Sequence, residues 1–492
     1  MSIGILPARL SGRLLREIHA ISIWDRAASL LLLMVLSGLV FWRPGFPLDD
    51  AYITLHNART LLAGGADPSY SGANALTGAT SAVHLVLIAA LGLVLPLELA
   101  SKLVSLAAIA LYAAGLSKLL RRTNATASTR AVLLCSGLLV AYLPYQLLNG
   151  PETGLAMAAV TWALALSDSR WLPMICGTLP FVRPELAFLS VPLFARYCWN
   201  RRGKPNAVAT AILLGIAAAL PWALLYLTYT GSPFPNTGSA KVFFFAEASE
   251  PLSVRAQVFF AALGYSLIGP LFVGLLGLRF TPIGWCCLAF LIAWLGTALV
   301  TLPGGLMHNW FRYCSLMIPI LLLGWAELTS RFPAYARIAL LLVGGWSFIT
   351  GLAGLAIYLD TSDVAARQKM VDDAVQNVPA DAVIMIHDAG YIAWAAPHFR
   401  LVDAVGLKSP ARTDWGQAVA ATEKTRADFV VRTAATSGLT YFIGLDADPF
   451  WGKLGSYLTQ SGWKMDRLAG SGTDYSLYRL SPPQRTKSKE SA

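Results

Sequence analysis

The sequence predicts a polytopic α-helical membrane protein carrying a C-terminal α/β domain outside the bilayer. Three observations lead there. Of 492 residues, 56% are hydrophobic and only 13% charged, against roughly 25% charged in an ordinary soluble domain. Apolar runs approaching the ~20 residues of a bilayer-spanning helix recur through the first ~360 residues. After Tyr358 the pattern changes to short β-rich runs and polar helices.

The apolar runs fall at 27–42, 82–97, 101–118, 131–148, 153–167, 171–182, 185–198, 206–229, 256–278, 282–302, 313–326 and 338–358. Trp24 to Phe41 follows Arg9, Arg13 and Arg16 without a small-residue cleavage site, so it reads as a retained first helix. The positive-inside rule orders the rest. Basic residues cluster in 1–26, 118–130, 196–204 and 331–337. All four clusters share the cytoplasmic side only if 82–97 lies along the surface, and its 16 residues rise about 24 Å, short for a ~30 Å core. This reading gives eleven spans, the N-terminus inside and the C-terminus outside. Runs 171–182 and 185–198 meet at Arg183-Pro184-Glu185. Proline disfavours a helical residue before it, and a charged break at membrane depth survives only beside a protein-enclosed or wet cavity.

The predicted units are a membrane domain over 1–359, with first external loop 43–81 and surface helix 82–97, an α/β domain over 360–480 and a frayed tail over 481–492. In the α/β domain, 383–386, 441–443 and 475–478 read as strands, and 363–376 and 413–431 as helices.

Net charge is +11, but residues 361–492 hold 15 Lys/Arg against 14 Asp/Glu. The excess therefore sits between apolar helices, which is a topology signal and argues against nucleic acid as a partner. The six cysteines make no CxxC or Cys/His spacing and read as buried thiols. No His/Asp cluster has tight metal-ligand spacing, and there is no Gly-rich phosphate loop of the nucleotide-binding kinds. His84, His387 and His398 read as structural residues.

On this topology the ionisable residues of the external loops gather at one membrane face, whereas a transporter more often places them near the bilayer midplane. Asp49-Asp50 is the sharpest feature. Adjacent side chains of an extended segment point apart, so two jobs suit the pair: one carboxylate as general base, the other orienting a neighbour. The competing reading is a solvated pair opening helix 51–63. Arg183, Lys241, His308 and Arg312 read either as a cationic site for a phosphate or as side chains snorkelling to headgroups.

Several motifs together resemble the bacterial GT-C glycosyltransferases, nearest to the arabinofuranosyltransferase-like group that includes the mycobacterial terminal arabinosyltransferases. They are Pro47-Leu48-Asp49-Asp50-Ala51-Tyr52-Ile53-Thr54, Ala58-Arg59 and Thr77-Gly78-Ala79-Thr80-Ser81 in the first external loop. Asn149-Gly150-Pro151-Glu152-Thr153, Arg183-Pro184-Glu185 and Gly231-Ser232-Pro233-Phe234-Pro235-Asn236-Thr237 with Ala240-Lys241 follow. Arg312-Tyr313, His387-Asp388-Ala389-Gly390 and Val402-Asp403-Ala404-Val405-Gly406-Leu407 complete the order, over about residues 45 to 410.

The resemblance implies an inverting transferase in the bacterial inner membrane. It would draw a polyprenyl-phosphate sugar, arabinofuranose before mannose, from the outer leaflet and pass it to a glycan, lipid or protein acceptor. It implies no cofactor beyond the lipid-linked donor. By position, Asp49 is expected as base and Asp50 as its partner. Arg183, Lys241 and Arg312 would hold the lipid phosphate, Glu152 and Asn236 would position sugar hydroxyls, and Arg59, Glu185 and His308 would complete the substrate site. The chain departs from the pattern at His308-Asn309-Trp310, where that group tends to have an acidic residue before the Trp. Rival classes are a lipid-linked-sugar flippase, an envelope assembly protein, and a transferase of whole oligosaccharides.

Overall fold

The computed structural model describes residues 34–409, 414–470 and 475–483. Arg9, Arg13 and Arg16, residues 24–33 of the expected first helix and residues 484–492 of the expected tail lie outside these. The described part of the first helix runs to 42.

The loop after the first helix begins with helix α1 (Asp49–Leu62), whose first turn holds both acidic residues, where they complement the positive end of the helix dipole. It ends at Gly64-Gly65, both with positive φ, a conformation that favours glycine. The Ser81 hydroxyl then accepts from His84 N–H at 3.2 Å and starts α2 (Ala82–Gly92). Eleven residues rise only about 16 Å, consistent with a surface helix, although the helix stops five residues before the expected end.

Five helices or helix runs are long and apolar enough to cross a membrane among the described residues: Leu97–Leu120, Pro205–Thr230, Gly284–Thr301, Pro303–Arg331 and Ile338–Asn377. The sharply bent pair Leu252–Tyr265 and Gly269–Leu278 makes a sixth if counted as one span. Of the eleven expected, the first lies largely outside the described residues, and other runs form shorter apolar helices, such as Ala127–Leu139, Thr153–Ala165 and Leu172–Val182. The expected break is present. Pro184 forces Arg183 into extended backbone (φ −156°, ψ 136°), ending Leu172–Val182 before Ala187–Trp199 begins. Glycine permits close helix approach at Gly324, where an added Cβ would lie 1.8 Å from the Gly274 carbonyl oxygen.

The C-terminal domain is a five-stranded sheet in the order β2-β1-β3-β5-β4. Strands β1 (Val383–Ile386), β2 (Arg400–Asp403) and β3 (Tyr441–Leu445) are parallel; β4 (Lys464–Ala469) and β5 (Tyr475–Ser481) add antiparallel. Period-2 alternation sends Ile384 and Ile386 to the face covered by Ser362–Asn377, and Val383 and Met385 to the face covered by Glu423–Ser437. Strands β2 and β4 escaped the sequence reading because neither shows a buried-exposed alternation of apolar residues. The expected helix 413–431 is two helices, Trp415–Val419 and Glu423–Ser437, separated by the Thr422 capping box.

The two units share their cores. Tyr70 of the loop after the first helix packs into one face of the small domain. Ala240 and Phe244 of α3 (Thr237–Phe245) pack into the other.

Candidate active site

The acidic pair at the head of α1 divides. The Asp49 carboxylate is buried and accepts from two backbone N–H groups of the small domain, Gly390 at 2.8 Å and Tyr391 at 2.7 Å. These N–H groups open the short helix α4 (Tyr391–Ala395), so the Asp49 carboxyl caps it across the domain boundary. Gly390 is required there, because an added Cβ would meet the Asp49 carbonyl oxygen at 2.3 Å. Asp50, the next residue, points into a narrow cavity lined also by Thr54, Gly78, Thr80, Glu152, Thr237, Lys241 and Arg312. Its Oδ2 receives Arg312 Nη2 and Asn309 Nδ2, each at 2.9 Å. Asp49's oxygens are thus occupied by fixed backbone donors, whereas Asp50 faces the cavity.

Electrostatics separate the two as well. Burial, with Asp388 second, pushes the Asp49 carboxyl up to about 7. Burial also pushes Asp50 up, but Arg312, Lys241 and His308 outweigh it and hold that carboxyl below its ordinary value. Asp50 is therefore ionised at neutral pH.

The narrow cavity has a volume of about 20 Å³, room for one water-sized group. Through Thr80, Thr237 and Lys241 it joins a larger cavity of about 400 Å³. Phe188, Val242, Trp294, Leu302 and Leu306 give the larger space apolar walls, while Arg183, Glu185 and Lys241 stand at its polar end.

The four expected cations differ in what they have left to offer. Arg183 is fully buried and already spent on two carboxylates, Glu152 at 2.8 Å and Glu185 at 2.6 Å, with its guanidinium 4.7 Å over the Tyr313 ring. Arg312 is equally buried, yet only Nη2 is used on Asp50; its Nε and Nη1 have no hydrogen-bond partner among the described residues. Lys241 lines both cavities and makes no hydrogen bond or ion pair among the described residues. His308 packs against Phe245 with ring centroids 4.4 Å apart.

Two expected residues lie elsewhere. Arg59 donates to the Ala393 and Trp394 carbonyls at 2.6 and 3.0 Å and so fastens the end of α4. Asn236 braces loops, accepting from Gly78 N–H and donating to the Leu407 carbonyl, both at 3.4 Å. It lines a separate polar cavity.

Three positioning residues were missed by sequence reasoning. Asn309, Trp310 and Phe311 adopt successive left-handed conformations (φ 51°, 58° and 59°), a strain on the order of 1–3 kcal/mol for each such residue. Gln146 holds that turn, its Nε2 donating to the Asn309 and Trp310 carbonyls at 2.5 and 3.0 Å, and is itself held by Asn149. A lone Gln inside the apolar run 131–148 was the available signal. The third is Lys408 of the small domain. Its buried Nζ lies 2.6 Å from Asp67 Oδ2 and 2.7 Å from Asn57 Oδ1. Among the described residues no group of three His, Cys, Asp or Glu side chains is placed to hold a metal.

This architecture, an apolar multi-helix half with an acidic loop after the first helix and a docked sheet domain, is the GT-C fold that the ordered motifs resemble. The crystal structure of ArnT from Cupriavidus metallidurans bound to undecaprenyl phosphate superposes with a TM-score of 0.53 at 13% identity, over 92% of this chain and 97% of that one. A cryo-EM structure of the arabinofuranosyltransferase AftD from Mycobacteria gives 0.49 at 15% identity, over 93% of this chain and 41% of that one. Residues 358–478 match a family described as a domain of unknown function (DUF8728). No curated protein sequence matches the chain.

Proposed function

We propose that the chain is an inverting glycosyltransferase that takes a single sugar from a polyprenyl-phosphate donor at the outer face of the inner membrane. The observation that carries this is an ionised carboxylate, Asp50, beside two cations with unused capacity, Arg312 and Lys241, in a narrow cavity that shares Lys241 with a larger apolar-walled one. ArnT, similar in fold, was solved with undecaprenyl phosphate, a ligand whose phosphate and isoprenoid chain suit such cations and such walls.

In this reading Asp50 accepts the proton of an acceptor hydroxyl as its oxygen attacks the anomeric carbon. The bond from that carbon to the phosphate oxygen breaks, and its electron pair leaves with the lipid phosphate. Arg312 Nε and Nη1 and the Lys241 ammonium stabilise that leaving group, the largest kind of electrostatic contribution to such a barrier. Before the donor binds, the same cations hold Asp50 low. A bound phosphate shares their field and lets the carboxylate rise towards a more effective base. Arg183 has no free charge for phosphate; it fixes Glu152, which lines the narrow cavity beside Asp50 and would meet the donor sugar there.

We propose arabinofuranose as the sugar, on the motif resemblance, with mannose as the competitor. The test incubates purified protein with radiolabelled polyprenyl-phosphate arabinofuranose and mannose and a cell-wall extract, and follows label leaving the lipid. Transfer from one donor, lost in Asp50→Asn, is the expected result. Lipid that binds but is never cleaved, with label instead moving across a vesicle bilayer, would replace this reading with transport.

A further inference from the structure

Asp50 has a second neighbouring space. A cavity of about 390 Å³, within the size of small-molecule sites, is lined by Pro47, Leu48, Tyr145, Met307, Asn309, Trp310, Phe311, Asp363 and Arg367. It shares no lining residue with the apolar-walled cavity. Yet its wall reaches the same carboxylate, since Asn309 donates to Asp50 and Leu48 immediately precedes the acidic pair. Nothing in the proposed donor chemistry uses this space.

We infer that this cavity is the acceptor subsite and that its ligand is an oligosaccharide, recognised jointly by the membrane half and the small domain; this rests on the transferase reading above. Three features point to a sugar. First, the Trp310 side chain is 43% exposed in a cavity wall, with Tyr142 5.5 Å behind it and stacked on Phe311 at 5.4 Å. A supported, half-open indole is a flat apolar platform with a polar N–H, matching the mixed faces of a sugar ring. Second, Asp363 and Arg367 line the cavity from the first turns of helix Ser362–Asn377; Asp363 is exposed and offers acceptors to hydroxyls, while the buried Arg367 already donates through Nη2 to the Pro47 carbonyl. Asp363 makes no hydrogen bond among the described residues, and a purely hydrocarbon ligand would leave it facing apolar surface at a cost. Third, the aromatic wall exists only because Asn309, Trp310 and Phe311 are held left-handed by Gln146. That strain places Trp310 in the cavity and the Asn309 amide on Asp50 in one turn, linking where an acceptor sits to where its proton goes.

The small domain's part in the enzyme would then be acceptor recognition, through Asp363 and Arg367. The experiment measures binding of a trimannoside and a tri-arabinofuranoside to the full-length protein in detergent, and transfer to each from the active donor. Trp310→Ala and Asp363→Asn are expected to raise the acceptor KM at least tenfold while kcat moves less than threefold. Trp310→Phe, which keeps a flat ring, should recover most of the binding. Asp363 is exposed, so its variant separates recognition from any folding defect at the strained turn. Unchanged trisaccharide affinity in both variants, or no binding to the unmodified protein, overturns the inference. Binding that depends on Trp310 without cleavage of any donor leaves the subsite standing and removes the transferase reading.

Discussion

Two buried ionic clusters flank the same helix, and they differ in how completely their groups are used. At the domain boundary Asp67 Oδ1 accepts from His56 Nε2 at 2.9 Å and from the Ser69 and Tyr70 N–H groups, while Oδ2 faces Lys408. Lys408 also donates to Asn57 and to the Thr77 carbonyl. Asp49 is spent in the same way on α4. Around Asp50, by contrast, Arg312 keeps two unpartnered nitrogens and Lys241 makes no bond among the described residues. Burying a charge costs free energy that partners must offset. A cluster with every group matched describes an interface that is finished in the free protein; one with buried donors left over describes a site completed by a ligand.

The sharpest way to break this comparison is to neutralise the adjacent carboxylates separately. Asp50→Asn is expected to lower transfer by about 10²–10⁴-fold, the usual contribution of a general base, with unfolding temperature little changed. Asp49→Asn should leave most of the turnover per folded molecule. The reverse ranking would return the base to Asp49.

Lys408→Met tests the finished cluster. Removing one partner of a buried pair costs roughly 3–5 kcal/mol, so the variant should unfold earlier in denaturant and expose the small domain to protease. A shift in donor KM without loss of stability would show that Lys408 belongs to the site instead.

Lys241→Gln removes a charge that the free protein does not use. Hydrogen bonds to charged groups contribute about 1.5–3 kcal/mol, so kcat/KM for donor should fall about ten- to a hundredfold while stability holds or rises slightly. Gly390→Ala puts a methyl against Asp49 and should destabilise domain docking by roughly 1–3 kcal/mol, the range for overpacking; limited proteolysis between the domains reads it directly.

The smallest effect is with pH. Asp49's folded pKa of about 7 lies above its ordinary 3.8, so its contribution to stability is complete below the lower value and is lost as pH rises through the higher. Asp50 and Asp67 are shifted downward and act in the opposite sense, losing their contribution on acidification. The difference in melting temperature between the parent protein and Asp49→Asn, followed from pH 4 to 8, isolates the Asp49 component. A flat difference would remove it.

The membrane half and the Arg183-Pro184 break could be read from sequence because hydropathy and the steric demand of proline are local properties. Strands β1 and β3 were found for the same reason, since their apolar runs are continuous, and β5 through its aromatic Tyr475-Ser476-Leu477-Tyr478; β2 and β4 carry too weak a pattern. Of the expected site residues, Asp50, Glu152, Lys241 and Arg312 line one narrow cavity, and Arg183 and Glu185 line the larger one that shares Lys241 with it. Their spacing in sequence, 160 residues between Glu152 and Arg312, gives no means of predicting that meeting except through motif order.

The chain alone determined an apolar helical half, an acidic pair at the head of a helix and a charged, proline-enforced helix break. Which carboxylate of the pair is available was decided by the tertiary structure. Asp49 and Asp50 are chemically identical neighbours, and only the docking of Gly390 and Tyr391 from a separate domain supplies the backbone donors that occupy the first and leave the second facing the cavity.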